Sequence, residues 1–391
     1  MVKEVEISEG YQYTEIGLIP KDWEVKTLNE VARYRRGSFP QPYGLDKWYD
    51  DTNGLPFVQV FDVDENWKLK STTKRRISKE AQRMSVFVEK GSIVLTIQGS
   101  IGRTAITQYD AYLDRTLLLF ESFFVPFNKY FFMLLVYALF EQEKQKAPGG
   151  TIKTITKEAL SSFKISFPKI AEQNRVAEIL FDTEVLIENL EKLIVKKRNI
   201  KQGAMQELLT GRKRLAGFED EWGKSKIGDI LKVRHGRSQK DVQSESGIYP
   251  ILGSGGLMGY ANEYLCDSES VLIGRKGTID KPQFMDCPFW TVDTLFYTEI
   301  KKGYSPKFIY YKFLLIDWYS YNEASGVPSL NAKTIENIEM VIPSYETQLH
   351  IAQILTDMDD EIEALEEKLF KYKMIKQGMM QVLLTGKIRL K

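Results

Sequence analysis

Two stretches of this chain carry apolar residues in alternating steps of three and four, while the remainder alternates in short runs cut by glycine, asparagine, aspartate and proline. Over residues 172–209 the apolar line is Val176, Ile179, Thr183, Leu186, Leu190, Leu193, Lys197 and Ile200. Over residues 347–384 it is Ile351, Ile354, Met358, Ile362, Leu365, Leu369, Tyr372 and Met379. Such spacing puts one narrow seam on each helix, the coiled-coil pattern. Each predicted helix has about 40 residues and is therefore about 60 Å long at ~1.5 Å per residue. Gly211 and Gly386, with basic residues close behind, are expected to end them.

The two helical stretches are copies. Residues 200–211 (IKQGAMQELLTG) return as 375–386 (IKQGMMQVLLTG), and the offset of 175 holds without a gap from 168–215 to 343–390, with 23 of 48 positions identical. A second, weaker echo relates residues 17–37 to 218–236 and sets Trp23 and Gly37 against Trp222 and Gly236. A repeat of this size is the first fact to explain. It divides the chain into a globular segment at 1–167, a helix at 168–215, a second globular segment at 216–342 and a second helix at 343–391. Neither helix has another long seam to pair with, so the two are expected to pack on each other, antiparallel, about a pseudo-two-fold axis. Pairing between two chains is the alternative. Leu190, Leu193, Gly203 and Leu208, with Leu365, Leu369, Gly378 and Leu383, are the expected helix-packing residues. The interior glycines cost about 1 kcal/mol each against alanine, which close approach of another helix would explain.

Inside the globular segments the pattern changes to short strands at 55–63, 92–97 and 270–273. A small-residue turn with a basic side chain follows the last strand in each, QGSIGR at 98–103 and GRKGTI at 274–279. Aromatic-rich helices are expected at 129–143 and 306–321, then glycine-containing loops at 148–150 and 325–326. The fold class is α/β, with two mixed α/β domains and curved sheets. The most apolar run, residues 130–140, is far shorter than the roughly 20 residues a bilayer requires and reads as a buried helix.

Composition narrows the chemistry. Lysine and arginine number 54 against 53 acidic residues, a net charge of +1, so any nucleic-acid surface must be local or shared with a partner. Cys266 and Cys287 are the only cysteines, which excludes a disulfide framework and fits a reduced cytoplasmic setting. The polar residues 1–10 do not resemble a signal peptide. His235 and His350 lie in different segments, too little material for a histidine-based metal site. The loop GSGGLMG at 253–259 matches neither a P-loop nor a dinucleotide fingerprint. Asp22, Glu24 and Lys26 are too closely spaced for a nuclease cluster and read as strand charges. No methyltransferase, helicase or ATPase motif occurs, and no catalytic residue or metal ligand is assigned.

Polar readout remains. The first segment offers Arg33, Arg35, Arg36, Ser38, Gln41 and Tyr43, then Lys74, Arg75 and Arg76, and Gln98, Ser100 and Arg103. At equivalent places the second offers Arg234, Arg237, Ser238, Gln239 and Lys240, Ser254 on the glycine loop, and Arg275, Lys276 and Thr278. Arginine and glutamine suit base edges, and lysine suits phosphate. For any single residue a solvated surface charge is an equally good reading; repetition at equivalent places lifts the set.

This layout resembles the DNA-specificity (S) subunit of type I restriction-modification systems over essentially the whole chain. The resemblance is carried by GLIPKDWEVKTL at 17–28, YPILGSGGLMGY at 249–260, the helix starts PKIAEQNRVAEIL and PSYETQLHIAQIL, and the two KQGxMQxLLTG endings. It implies a dumb-bell of two target-recognition domains, each reading one half of a bipartite double-stranded DNA site, held apart by two antiparallel helices. It further implies two methyltransferase (M) subunits holding S-adenosylmethionine, and translocase-nuclease (R) subunits using ATP and Mg2+. Unequal recognition segments imply an asymmetric site. An adaptor joining two protein-binding domains, or an autonomous nuclease or methyltransferase, would be the competing classes.

Overall fold

The computed structural model describes residues 10–146, 155 and 157–390; the loop expected at 148–150 lies outside them. The chain forms two compact units, Met1–Asn189 with Leu369–Lys391, and Leu190–Lys368. Each unit holds one globular segment and part of both long helices.

In the first unit, Ala32–Arg36, Leu117–Phe123, Ile93–Thr96 and Thr104–Ile106 form an antiparallel sheet in that spatial order. A second sheet orders Arg75–Ile77, Leu55–Val58, Ala111–Leu113 and Val86–Val88, with Leu55–Val58 parallel to Ala111–Leu113. Helix Lys129–Lys146 closes the core: Phe131, Phe132, Val136 and Phe140 pack with Leu95 and Phe120. All four side chains of Ile93–Thr96 are buried, so the apolar run Ile93, Val94 and Leu95 marks a strand covered on both faces.

The second unit repeats this plan. Leu231–His235, Leu295–Ile300, Ser270–Gly274 and Gln283–Met285 form its antiparallel sheet, and Tyr249–Gly253 runs parallel to Trp290–Thr291 in a smaller one. The lead-in strands match as well: Glu24–Thr27 pairs with Lys164–Phe167, and Gly223–Lys226 with Glu339–Ile342.

Two elements differ from expectation. The strand predicted at 55–63 stops at Val58 and turns through Val60–Asp62, because the buried Asp62 carboxylate accepts the Gln59 N–H at 2.9 Å and the Lys74 N–H at 3.2 Å. The helix predicted at 306–321 stops at Phe313, whose carbonyl takes the Trp318 indole N–H at 3.0 Å instead of continuing the helical ladder.

The long helices are Ile170–Leu209 and Tyr345–Leu383. They pair within the chain and run antiparallel. In the first unit Glu172 meets Arg389 at 2.7 Å and Glu184 meets Lys376. In the second, Lys197 meets Glu361 and Arg198 meets Glu366, both at 2.6 Å, and Lys201 meets Asp359.

The seam, however, is rotated from the predicted one. Leu180, Ile187, Ile194, Met205 and Leu208 are buried beside Val176 and Leu190. Ile179 is 39% exposed, Leu193 37% and Ile200 48%. The first helix has apolar lines on both sides of Val176 and Leu190, and the partner helix together with the globular segments covers only one. The second helix buries Ile351, Leu355, Ile362 and Leu383, with Leu365 and Leu369 half-buried. A Cβ on Gly203 or Gly378 would meet nothing within 4 Å, so among the described residues the other long helix is not what approaches them.

Both helices end alike. Gly211 and Gly386 each have φ of +71°, and the Lys213 and Ile388 N–H groups reach back to Glu207 and Val382. A Cβ on Gly386 would lie 2.6 Å from Pro20, and one on Gly211 would lie 3.3 Å from Trp222. Each helix end thus packs on the lead-in of a globular segment, and Tyr11 of the first unit donates to the Gly386 carbonyl at 3.0 Å.

Candidate nucleic-acid interface

At one end of the larger sheet in the first unit, three chain segments converge: the exit from Ala32–Arg36, the approach to Leu117–Phe123 and the exit from Ile93–Thr96. Backbone bonds stitch them together. Gly37 N–H donates to Leu117 O at 2.9 Å, Ser38 N–H to Leu113 O at 3.1 Å, and Ile97 N–H to Thr116 O at 2.9 Å. A Cβ on Gly37 would lie 2.2 Å from Asp114 O, so only glycine permits this approach.

The second unit builds the same junction. Arg237 N–H donates to Thr291 O at 2.8 Å and Arg275 N–H to Thr294 O at 2.9 Å. Gly236 repeats the steric constraint, its Cβ position lying 2.0 Å from Val292 O. The hairpin tip beyond Tyr249–Gly253 is a strand-connecting turn with Gly256 at φ +110°, and its Ser254 hydroxyl lies 3.4 Å from the Cβ position of Gly277.

The candidate side chains divide by how much of their bonding is used internally. Arg36 donates to Arg115 O, Ser38 Oγ to Met84 O at 2.9 Å, and exposed Arg35 lies 3.7 Å from Glu121. Gln41 is exposed beside this junction. Tyr43 is half-buried; its hydroxyl donates to Asp114 at 3.3 Å and accepts from Gln59, and burial followed by the Asp114 charge raises its pKa. Arg75 stacks 3.9 Å over Tyr49 beside Asp51, and Arg76 donates to Gly54 O at 2.8 Å. Lys74 stays exposed. Arg103 donates to Glu65 at 2.8 Å, across a cleft of about 380 Å³ that Ser100 also lines, while Gln98 is half-buried. In the second unit Arg237, Ser238, Lys240 and Lys276 are exposed; Arg275, Thr278 and Ser254 are partly covered. Arg275 donates to Asp293 O at 3.1 Å.

Two residues escaped the sequence reading. Arg115 and Asp293 are exposed at equivalent points of the two junctions. Their only shared sequence signal is a following Thr-Leu, too short to align on. Gln173 and Gln348 were also missed as anchors. Each is buried at the first turn of a long helix, where it accepts a backbone N–H, Asn128 at 3.0 Å or Ser305 at 2.9 Å, and donates to Pro168 O at 2.9 Å or Pro343 O at 3.0 Å. The four bonds explain why proline and glutamine recur five residues apart at both helix starts.

The other look-alikes resolve structurally. Asp22 binds Arg389 at 2.7 Å, and Glu24 pairs with Lys26 at 2.8 Å. His350 is exposed with Nδ1 2.9 Å from Glu346 O, and exposed His235 lies against Phe296. Among the described residues no group of three or more His, Cys, Asp or Glu is placed to hold a metal ion, and no helix is long and apolar enough to cross a membrane.

The family description "Type I restriction modification DNA specificity domain" matches residues 20–196 and again 219–371. The chain belongs to this family. Its two matched regions each contain one globular segment and the start of the long helix that follows. A similar protein is the specificity subunit of the Escherichia coli type I restriction enzyme EcoprrI, 24% identical over 352 residues, covering 85% of this chain and 86% of that one. The MjaVIII specificity subunit of Methanocaldococcus jannaschii is 22% identical over 434 residues, covering 95% and 94%. The type I S subunit from M. genitalium has the same fold, with a TM-score of 0.63 at 17% identity over 92% of this chain and 96% of that one.

Proposed function

We propose that this chain is the non-catalytic DNA-recognition subunit of a type I restriction-modification complex, with each sheet-end junction reading one half of an asymmetric bipartite site. The observation that carries the reading is the junction itself: one backbone scaffold, built twice, presenting different polar side chains each time. A shared scaffold with unlike side chains suits two half-sites of unlike sequence. The domains would be 1–167 and 216–342, joined through spacer helices at 168–215 and 343–391. A net charge of +1 implies that partners contribute phosphate contacts.

Those partners would be two methyltransferase subunits, with R subunits added for restriction. Ile179, Phe181, Leu193 and Ile200 of the first helix, and Phe370 and Met374 of the second, leave apolar surface for them; Phe370 is 68% exposed. Gly203 and Gly378, open to solvent here, would admit a partner helix closely. S-adenosylmethionine would then belong to the methyltransferase, and ATP with Mg2+ to the R subunit. The complex would be cytoplasmic.

The test uses the full chain copurified with its methyltransferase on duplexes whose half-sites are separated by a graded gap. One preferred gap is expected. Adding four residues to the first helix alone, after Gln202, would break the register between the two helices, so matched insertions after Asn189 and Lys368 are required. At about 1.5 Å per residue they should lengthen the preferred gap by about two base pairs. An unchanged optimum would reject the helices as a ruler, and absence of bipartite protection would leave an adaptor.

A further inference from the structure

We infer that Arg115 and Asp293 are specificity-determining residues at one and the same position of the two recognition scaffolds, with Arg115 selecting guanine and Asp293 selecting cytosine. The inference rests on the reading of the junctions as DNA-facing.

Equivalence comes from backbone bonds rather than from alignment. Asp114 N–H donates to Val58 O and Val292 N–H to Leu252 O, both at 3.0 Å. Leu117 N–H donates to Asp114 O and Leu295 N–H to Val292 O, again both at 3.0 Å. Thr116 O and Thr294 O each accept an N–H from the neighbouring strand exit, at 2.9 Å in both units. Between these fixed points one side chain projects into solvent, Arg115 in one unit and Asp293 in the other.

The peptide bearing that side chain is pinned each time by a guanidinium. Arg36 donates to Arg115 O, and Arg275 donates to Asp293 O. Different strands supply the two arginines, yet they bond to the same carbonyl of the scaffold. A pinned backbone with an outward side chain is the arrangement base readout needs, because the ordering cost is met before DNA arrives.

The chemistry then differs in sign. Arginine offers a planar fork of donors for the two major-groove acceptors of guanine, and the Arg115 guanidinium also lies 5.4 Å from the Tyr43 ring centre, which limits its swing. A carboxylate at a DNA-facing edge is repelled by phosphate. Asp293 sits at a junction where Arg237 and Arg275 bond to its own stretch of backbone, and an acid in such a place is tolerable on DNA where it accepts from a base amino group. Cytosine N4 is the donor that pairs best with a carboxylate.

The experiment uses the full chain with its methyltransferase and a duplex library in which both half-sites are randomised; bound duplexes are sequenced at two salt concentrations. Arg115→Ala should lose about tenfold preference for guanine at one column of one half-site and leave the other half-site unchanged. Arg115→Lys should lose the same column while keeping the unsubstituted salt dependence. Asp293→Ala should relax one column of the other half-site, and Asp293→Arg should move it toward guanine. Uniform loss across all sequences with a flatter salt dependence for Arg115→Ala would make Arg115 a phosphate contact and overturn the inference. So would Asp293→Ala strengthening binding to every sequence alike. Absence of any half-site preference in the unsubstituted complex would instead overturn the DNA-recognition reading beneath it.

Discussion

Glu184 holds the ammonium of Lys376 across the helix pair, with the Trp67 ring centre 3.7 Å from the same nitrogen. Shifted by the repeat offset, Asp359 holds Lys201 beside Tyr311, which donates its hydroxyl to Asp359 at 2.8 Å. The lysine of the repeated KQG phrase is therefore an interhelical clamp set against an aromatic ring of a globular segment.

The two clamps differ in burial, and their energetics should differ with it. Glu184 is 6% exposed and Asp359 39% by side chain. Glu184→Ala leaves a buried amine whose pKa burial lowers to about 7, and should cost more than Asp359→Ala, which should cost about 1 kcal/mol. Glu184→Leu with Lys376→Met should recover most of the loss. Urea unfolding of the full chain measures all three; equal costs for Glu184→Ala and Asp359→Ala would contradict the burial argument.

Gln173→Leu removes the acceptor of the Asn128 N–H and the donor to Pro168 O. Leaving both groups buried and unpaired should cost about 2–4 kcal/mol. Hydrogen exchange should show Asn128 losing protection while Ser305, held by Gln348, keeps it. Loss at both sites would mean the two anchors are not independent.

Burial lowers the Lys312 ammonium to about 8, and its Nζ donates to Leu209 O at 3.0 Å. An unfolded lysine titrates near about 10.4. Between those values the unfolded chain binds a proton that the folded chain does not, so this group makes stability rise with pH across that window and lose the gain as pH falls toward 8. The slope is at most about 1.4 kcal/mol per pH unit. In Lys312→Met it disappears, which the stability difference between the two proteins from pH 7 to 10.5 would reveal. A difference that does not change with pH would refute the shift.

Gly203→Ala and Gly378→Ala should each stabilise the isolated chain by about 0.5–1 kcal/mol, since each Cβ meets open space in a helix interior. Gly203→Leu should likewise not lower the thermal unfolding temperature, yet it should weaken copurification with the methyltransferase. If assembly is unaffected, the glycines do not mark a docking face.

The sequence alone determined the duplication, the two long helices, their glycine stops and the mixed α/β character of the rest. These are local matters: periodicity, capping and turn chemistry act within a few residues, and the 175-residue offset repeats them. Tertiary structure decided which apolar line of the first helix is covered. Lines on both sides of Val176 and Leu190 satisfy a helical period, and only packing against the partner helix and the globular segment selects Leu180, Ile187 and Ile194 over Ile179, Leu193 and Ile200. The junctions were legible only in part. Gly37 and Gly236 could be aligned through their distance from Trp23 and Trp222, and the basic residues around them followed. Arg115 and Asp293 could not, because what makes them equivalent is a set of bonds between strands distant in the chain. The KQG lysines show the same division. Their recurrence is written in the sequence, but their role as clamps exists only where the opposite helix brings an acid and the globular segment brings a ring.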